Sequence, residues 1–304
     1  MVREQAGGQG RERYRVPLAL AAVYLFWGGT YLGMKYAIQT IPPFLMAGLR
    51  FCVAGWILYA VLRLKGEKRP TGAQLKNAGI VGALLLVGGN GIVAMAEQTV
   101  PSSIASLLVA TVPLWITLIQ FITERKKPSV GTAVGIVLGL CGIAALVWNP
   151  GAASQTVNLL GILALLLATL SWSAGSLYSA KANMPHSPLL STSVQMIVGG
   201  TLLLILAAFH GDFQGFSFAQ VSGSSWLAMG YLILFGSLTG FTAFVWLLKN
   251  AEPSVVATYA YVNPVVAILL GWLIAGERHG VNALIAAAVI IVSVVLITRY
   301  RDRT

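Results

Sequence analysis

Pro101 to Glu124 reads PSSIASLLVATVPLWITLIQFITE, and Pro253 to Glu277 reads PSVVATYAYVNPVVAILLGWLIAGE. Pro101, Pro113 and Glu124 recur as Pro253, Pro264 and Glu277, at offsets of 152, 151 and 153. Ahead of these segments, Trp27 and Pro43 recur as Trp172 and Pro188 at an offset of 145. Each copy holds five apolar stretches. An odd number of crossings turns the second copy upside down relative to the first, which is the sequence footprint of an inverted-repeat transporter.

Composition agrees with a membrane location. The 304 residues are 57% hydrophobic and only 10% charged, with a mean hydropathy of +0.80, more apolar surface than one soluble core can hide. A helix needs roughly 20 apolar residues to cross the hydrocarbon. Ten such stretches are predicted near residues 17–39, 44–64, 77–97, 102–123, 130–148, 158–180, 189–209, 225–248, 253–275 and 281–298. The fold expected is all-α and integral to the membrane: ten transmembrane helices as two inverted five-helix repeats around a central cavity. A short tail at 1–16, a first repeat at 17–148, a linker at 149–157, a second repeat at 158–298 and a tail at 299–304 complete the division.

The net charge of +11 would suit a nucleic-acid binder, but its distribution does not. Of the 20 basic residues, only Arg278 falls on the far side of the predicted spans, and only Lys35 and Arg50 fall inside them. The positive-inside rule then places both termini in the cytoplasm and the linker in the periplasm of a bacterial inner membrane. The apolar run after Arg15 is a full span rather than a signal-peptide core. Cys52 and Cys141 lie in apolar spans and read as small buried residues.

Candidate functional residues follow from the repeat. Pro113 and Pro264 sit at corresponding places in spans four and nine, where each removes a helix hydrogen bond. Paired breaks in paired helices point to a central site. Near them the sequence supplies aromatic and neutral polar groups. Trp27, Thr30, Tyr31 and Met34 share one face of span one. Span six offers Trp172 and Ser176, span four Thr111 and Trp115, span eight Thr239, Thr242 and Trp246, and span nine Tyr259, Tyr261 and Asn263. Lys35, Arg50 and Glu97, with Asn90 nearby in span three, form a charged path or gate, because ionisable groups at depth usually face the bundle interior. The bland alternative has Lys35 reaching outward to the interface and Arg50 pairing with Glu97 as a structural lock.

Gly131, Gly135 and Gly139 form small-xxx-small steps in span five. They read as packing within the chain in preference to a dimer face. No carboxylate falls at mid-membrane, which weakens a proton-coupled cation exporter, and no His/Cys cluster, nucleophile elbow or phosphate loop appears. Neither a cofactor nor a metal is expected, and an enzyme acting on lipid-linked substrates finds no nucleophile.

The Trp27-Gly28-Gly29-Thr30-Tyr31 run, Pro42-Pro43 followed by Ala47-Gly48-Leu49-Arg50-Phe51, Val100-Pro101-Ser102, Ala110-Thr111-Val112-Pro113, and Tyr261-Val262-Asn263-Pro264 through Gly276-Glu277 closely resemble the EamA family of the drug/metabolite transporter superfamily. Within it, the chain is similar to the branch of YedA- and YddG-type transporters, which includes aromatic amino-acid exporters. The resemblance covers nearly the whole chain and implies a five-plus-five inverted fold with a central cavity. The expected function is export of small metabolites, foremost aromatic or apolar amino acids, with amphipathic drugs or other anionic metabolites as the alternative cargo. The expected partners are that substrate and the lipid bilayer.

Overall fold

The structure is a computed structural model, and it describes residues 3–125, 127–148, 158–251, 253–256, 258–277 and 280–300. The 149–157 linker, Arg278 and residues 301–304 of the C-terminal tail lie outside them. The described residues are predominantly helical, with no strand among them. Seven helical stretches are long and apolar enough to cross a membrane: Arg15–Ala37, Pro43–Leu64, Gly72–Ala96, Ser102–Glu124, Leu159–Lys181, Pro188–His210 and Gly223–Leu247. Shorter apolar helices occur over Val130–Ala145, Tyr259–Ala275 and Leu284–Tyr300. Leu25, Trp56, Ile122, Leu163, Leu227 and Trp272 stay exposed, as a surface facing lipid requires.

Several of these stretches are interrupted. Span one is α1 (Arg3–Gly28) and α2 (Thr30–Ala37), divided at Gly29. Span two is the continuous α3 (Pro43–Leu64). Span three runs from α4 (Gly72–Gly82) through a π-helical segment, Ala83–Gly91, into α5 (Ile92–Ala96). A capping box between Thr71 and Gln74 starts α4, satisfying donors that a helix end would otherwise leave open. Span four divides at Ala110–Thr111 into α6 (Ser102–Val109) and α7 (Val112–Glu124), with Pro113 in the first turn of α7, where its missing N–H costs nothing.

The later elements echo the earlier ones. After α8 (Val130–Trp148), α9 (Leu159–Lys181) and α10 (Pro188–His210), α11 (Gly223–Tyr231) again leads through a π-helical segment, Leu232–Thr239, into α12 (Gly240–Asn250). Then come α13 (Pro253–Val256), α14 (Tyr259–Ala275) and α15 (Val281–Tyr300). One expectation needs correction here. Pro264 lies inside α14, so span nine begins its second helix at Thr258–Tyr259 rather than breaking at the proline. The backbone around Pro264 is packed against protein: a Cβ on Gly28 would lie 3.2 Å from the Asn263 carbonyl oxygen and 2.7 Å from Val266. A neighbouring helix this close lets a proline stay within a membrane helix.

Packing follows a regular exchange of partners. Helix α3 lies along α10, and α8 along α15. Helix α1 packs on α12 and α14, while α9 packs on the first π-helical segment and on α7. Glycines set the close approaches. At Gly82 an added Cβ would come 2.5 Å from the Gln195 carbonyl oxygen, and at Gly200 it would come 2.7 Å from the Cys52 nitrogen. Gly131, Gly135 and Gly139 face Tyr300, Ile297 and Ser293 of α15, and the Ser293 hydroxyl donates to the Gly135 carbonyl at 2.7 Å. These glycines are used within the chain.

Candidate functional site

Trp27 is the centre of an aromatic cluster at the junction of α1, α12 and α14. Its ring meets Phe241 at 5.1 Å, Phe244 at 5.0 Å and Tyr259 at 5.4 Å between centroids, the last edge-to-face. Phe244 and Tyr259 pair in the same way. Sequence reasoning singled out Trp27 and Tyr259 but not Phe241 or Phe244, because a phenylalanine in an apolar helix carries no signal of its own. The interruption in span nine is tied to span one here, since the Tyr24 and Thr258 hydroxyls are hydrogen-bonded.

The second π-helical segment joins this cluster to a buried cation. Trp27 Nε1 donates to the Gly236 carbonyl at 3.1 Å. The missing side chain of Gly236 leaves room for the Thr30 methyl and an Arg50 terminal nitrogen, which a Cβ would meet at 2.8 and 3.1 Å. Arg50 is buried, its Nε donates to the Ser237 hydroxyl at 2.9 Å, and its guanidinium carbon lies 4.7 Å from the centre of the Phe51 ring. The alternative, an Arg50–Glu97 lock, is not formed: both Glu97 carboxylate oxygens are buried without a hydrogen-bond partner among the described residues.

Corresponding contacts surround the other tryptophan. Trp172 lies on Gly89 of the first π-helical segment, where a Cβ would sit 2.9 Å from its ring. Next to it the Ser171 hydroxyl donates to the Leu84 carbonyl at 2.8 Å. On α9, Ser173 reaches the Val112 carbonyl, just past the break in span four, at 3.3 Å. Asn90 is half-buried in the first π-helical segment.

Several predicted polar side chains are occupied by their own helices. Thr30 donates to the Trp27 carbonyl, Ser176 to the Trp172 carbonyl and Thr111 to the Leu108 carbonyl, while Thr111 also accepts from Trp115 Nε1 at 3.2 Å. Such back-bonding is the usual way an apolar helix satisfies a short hydroxyl. Asn263 differs, because its Oδ1 is buried with no partner among the described residues. Trp246 lines, with Leu18, Thr239 and Thr242, an open groove of about 600 Å³ between α1 and α12.

Lys35 neither reaches outward nor stands free. Its Nζ lies 2.8 Å from Oε1 of Glu277, in the loop between α14 and α15. The same carboxylate accepts from the backbone N–H and hydroxyl of Ser102, at 3.1 and 2.8 Å, and from those of Ser103, at 3.3 and 2.5 Å. A carboxylate at a helix start meets unsatisfied N–H groups and the positive end of the dipole. Burial pushes the Glu277 carboxyl up, but the bonds from Lys35, Ser103 and Ser102 outweigh it and bring it down to about 2. Toward the other end of the chain's spans, Lys181 pairs with Glu124. The repeat offset of 145 carries Lys35 onto Ala180, one residue before Lys181.

Comparison with known proteins gives the same outline twice. The model of the EamA-like transporter family matches residues 15–148 and again residues 159–299. The chain is 40% identical over 291 residues, 95% of its length and 92% of the relative's, to the uncharacterized inner membrane transporter YedA of Escherichia coli strain K12. It is 29% identical to the transporter YoaV of Bacillus subtilis strain 168, with 91% of this chain and 94% of that one covered. A solved crystal structure matches with a TM-score of 0.64 at 20% identity, covering 95% of this chain and 98% of its own, a likeness in fold. With both halves matched and a relative this similar across almost its whole length, the chain belongs to the EamA-like transporter family.

Proposed function

We propose that this protein is a multi-pass bacterial inner-membrane transporter with both termini in the cytoplasm, exporting small metabolites, foremost amino acids with aromatic or apolar side chains. The observation that carries the reading is where the helix interruptions fall. The breaks at Gly29 and Thr258 and the second π-helical segment lie beside Trp27 and Tyr259, and the first π-helical segment and the Ala110–Thr111 break lie beside α9 at Trp172 and Ser173. Irregular backbone inside a membrane bundle is typical of substrate sites between repeats. The two π-helical segments, and the exchange by which α1 packs on spans eight and nine while α9 packs on spans three and four, support ten spans arranged as two inverted repeats.

In this reading Trp27, Tyr31, Trp172 and Tyr259 stack on the apolar part of the substrate. Asn90 and the unpartnered Asn263 supply hydrogen bonds, and Arg50 receives a carboxylate. The two lysine–glutamate pairs close the path at opposite ends. Both pairs are formed in this conformation, and in this reading each parts in turn as the halves rock.

The test is flux in proteoliposomes loaded with a radiolabelled aromatic amino acid, with unlabelled amino acids and amphipathic drugs as competitors. Saturable efflux blocked by aromatic amino acids is expected. Efflux indistinguishable from empty liposomes overturns the amino-acid reading, and blockade by drugs alone transfers it to the amphipathic cargo.

A further inference from the structure

Among the described residues, Glu97 is a buried ionisable side chain left without a hydrogen-bond partner. It is 5% exposed, and neither carboxylate oxygen has a hydrogen-bond partner among the described residues. It directly follows α5, in the turn that runs through Val100 and Pro101 into α6. That helix start is what Glu277 grips, so the burial of Glu97 and the clasp belong to one end of the molecule.

The groups around it decide its charge. From α2 come the Tyr31 phenol and Lys35, from α3 Arg50, and from the loop before α15 Glu277. Lys35 is bound to Glu277 at 2.8 Å, so their charges largely cancel at Glu97. Arg50 gives its Nε to Ser237 and does not bond Glu97. The first π-helical segment, packed against α5, carries no charged residue. Helix α9, also packed there, has only Lys181, which is bound to Glu124. An ionised carboxylate sealed from water with no donor is far costlier than a neutral carboxyl group. Oxygens this inaccessible leave no room for an ammonium group, and Glu97 belongs to no group of three or more His, Cys, Asp or Glu side chains among the described residues that would hold a metal. A proton is the one cation that fits.

We infer that Glu97 is a proton-binding site, filled from the medium on the Glu277 side as that end closes and emptied when the clasp opens and water returns. The step balances as one proton taken up by one carboxylate per closure, with no other reactant. Acidification on that side therefore favours the closed end. This deepens the transport reading and rests on it for its purpose, but proton binding is measurable without any substrate.

Infrared difference spectroscopy of the reconstituted full chain tests it. At neutral pH the wild-type protein should show a protonated-carboxyl band that shifts in heavy water. The band should be absent in Glu97→Gln, shifted but present in Glu97→Asp, and weakened in the clasp variant Lys35→Met/Glu277→Gln. A wild-type spectrum without such a band, or a band unchanged in Glu97→Gln, overturns protonation. A band of full strength in the clasp variant overturns its coupling to closure. The Glu97→Asp variant keeps the measurement decisive if the glutamine variant does not fold. Absence of amino-acid flux in a wild-type protein that shows the band counts against the export reading and leaves the proton site standing.

Discussion

Lys35 and Glu277, distant in sequence, meet at 2.8 Å and join three parts of the chain, because the same carboxylate also holds Ser102 and Ser103 at the start of α6. Lys35→Met should cost about 1–2 kcal/mol, since the lysine side chain is 26% exposed and the serines keep the carboxylate bonded. Glu277→Gln should cost more, about 2–4 kcal/mol, because the charge that satisfies Lys35 and the helix start is removed. Thermal unfolding in detergent of the singles and the double variant checks this. A double variant less destabilised than the sum of the singles by about 1 kcal/mol is the expected coupling; strict additivity contradicts the clasp.

The same carboxylate predicts a pH window. Its folded-state value is about 2, against an ordinary 4.5. A depressed acid binds more protons unfolded than folded, so its contribution is fully present above about pH 4.5 and is lost as pH falls toward 2. The stability gap between wild type and Glu277→Gln should be constant from neutral pH down to the ordinary carboxyl range and then narrow. A gap that instead grew on acidification would reverse the sign assigned to Glu277.

Much of this architecture was legible in the sequence, and the reasons for the exceptions are local. The apolar stretches and Pro101 mark their helices because length and N-terminal proline act through the backbone. The lysine that pairs with Glu124 was missed since a repeat compared at fixed offset tolerates no one-residue slip, and a helix places successive residues on different faces. Pro264 does not break α14, because nearby packing decides whether a proline interrupts a membrane helix. The unpaired state of Glu97 was invisible: charge partners depend on three-dimensional reach, and Arg50, offered as its partner from sequence, turns to Ser237 while Lys35, read as reaching outward, turns to Glu277.

Gly82 and Gly79 lie one turn apart on the same α4 face toward α10, yet substitution should separate them. At Gly82 an added methyl would press on the Gln195 carbonyl at 2.5 Å and its Cα at 3.1 Å, backbone that cannot turn aside. At Gly79 it would meet only the Val198 side chain, at 3.3 Å. Gly82→Ala should destabilise by about 1–3 kcal/mol, as overpacking does, and Gly79→Ala by less than about 0.5 kcal/mol. Unfolding midpoints in detergent decide it, and equal effects would mean that α4 and α10 are not packed this closely.

Trp27 has two separable roles, the N–H bond to Gly236 and the ring that meets Tyr259. Trp27→Phe removes the first and keeps an aromatic ring. If stacking on the substrate is what the cluster does, Trp27→Phe should retain aromatic amino-acid efflux within about fivefold, since one neutral hydrogen bond contributes about 1 kcal/mol, whereas Trp27→Ala should lose at least about tenfold. Equal losses in both variants would make the tryptophan a fastener of the π-helical segment and remove it from the substrate path.

Glu124 and Lys181 separate a gate from a stabilising contact. The lysine side chain is 68% exposed, so the pair contributes no more than about 1 kcal/mol in this conformation. Glu124→Gln should accordingly leave the unfolding midpoint almost unmoved. If the pair, formed here together with Lys35–Glu277, must part and re-form as the two ends take turns, however, the variant should still change efflux although it barely alters the stability of this conformation. The opposite pattern is expected for Glu277→Gln, where stability falls first. Measuring flux and melting temperature for both variants therefore gives a crossed result if the two ends take turns. Two variants that lose stability and flux in parallel would show instead that both pairs are ordinary fastenings of one rigid arrangement.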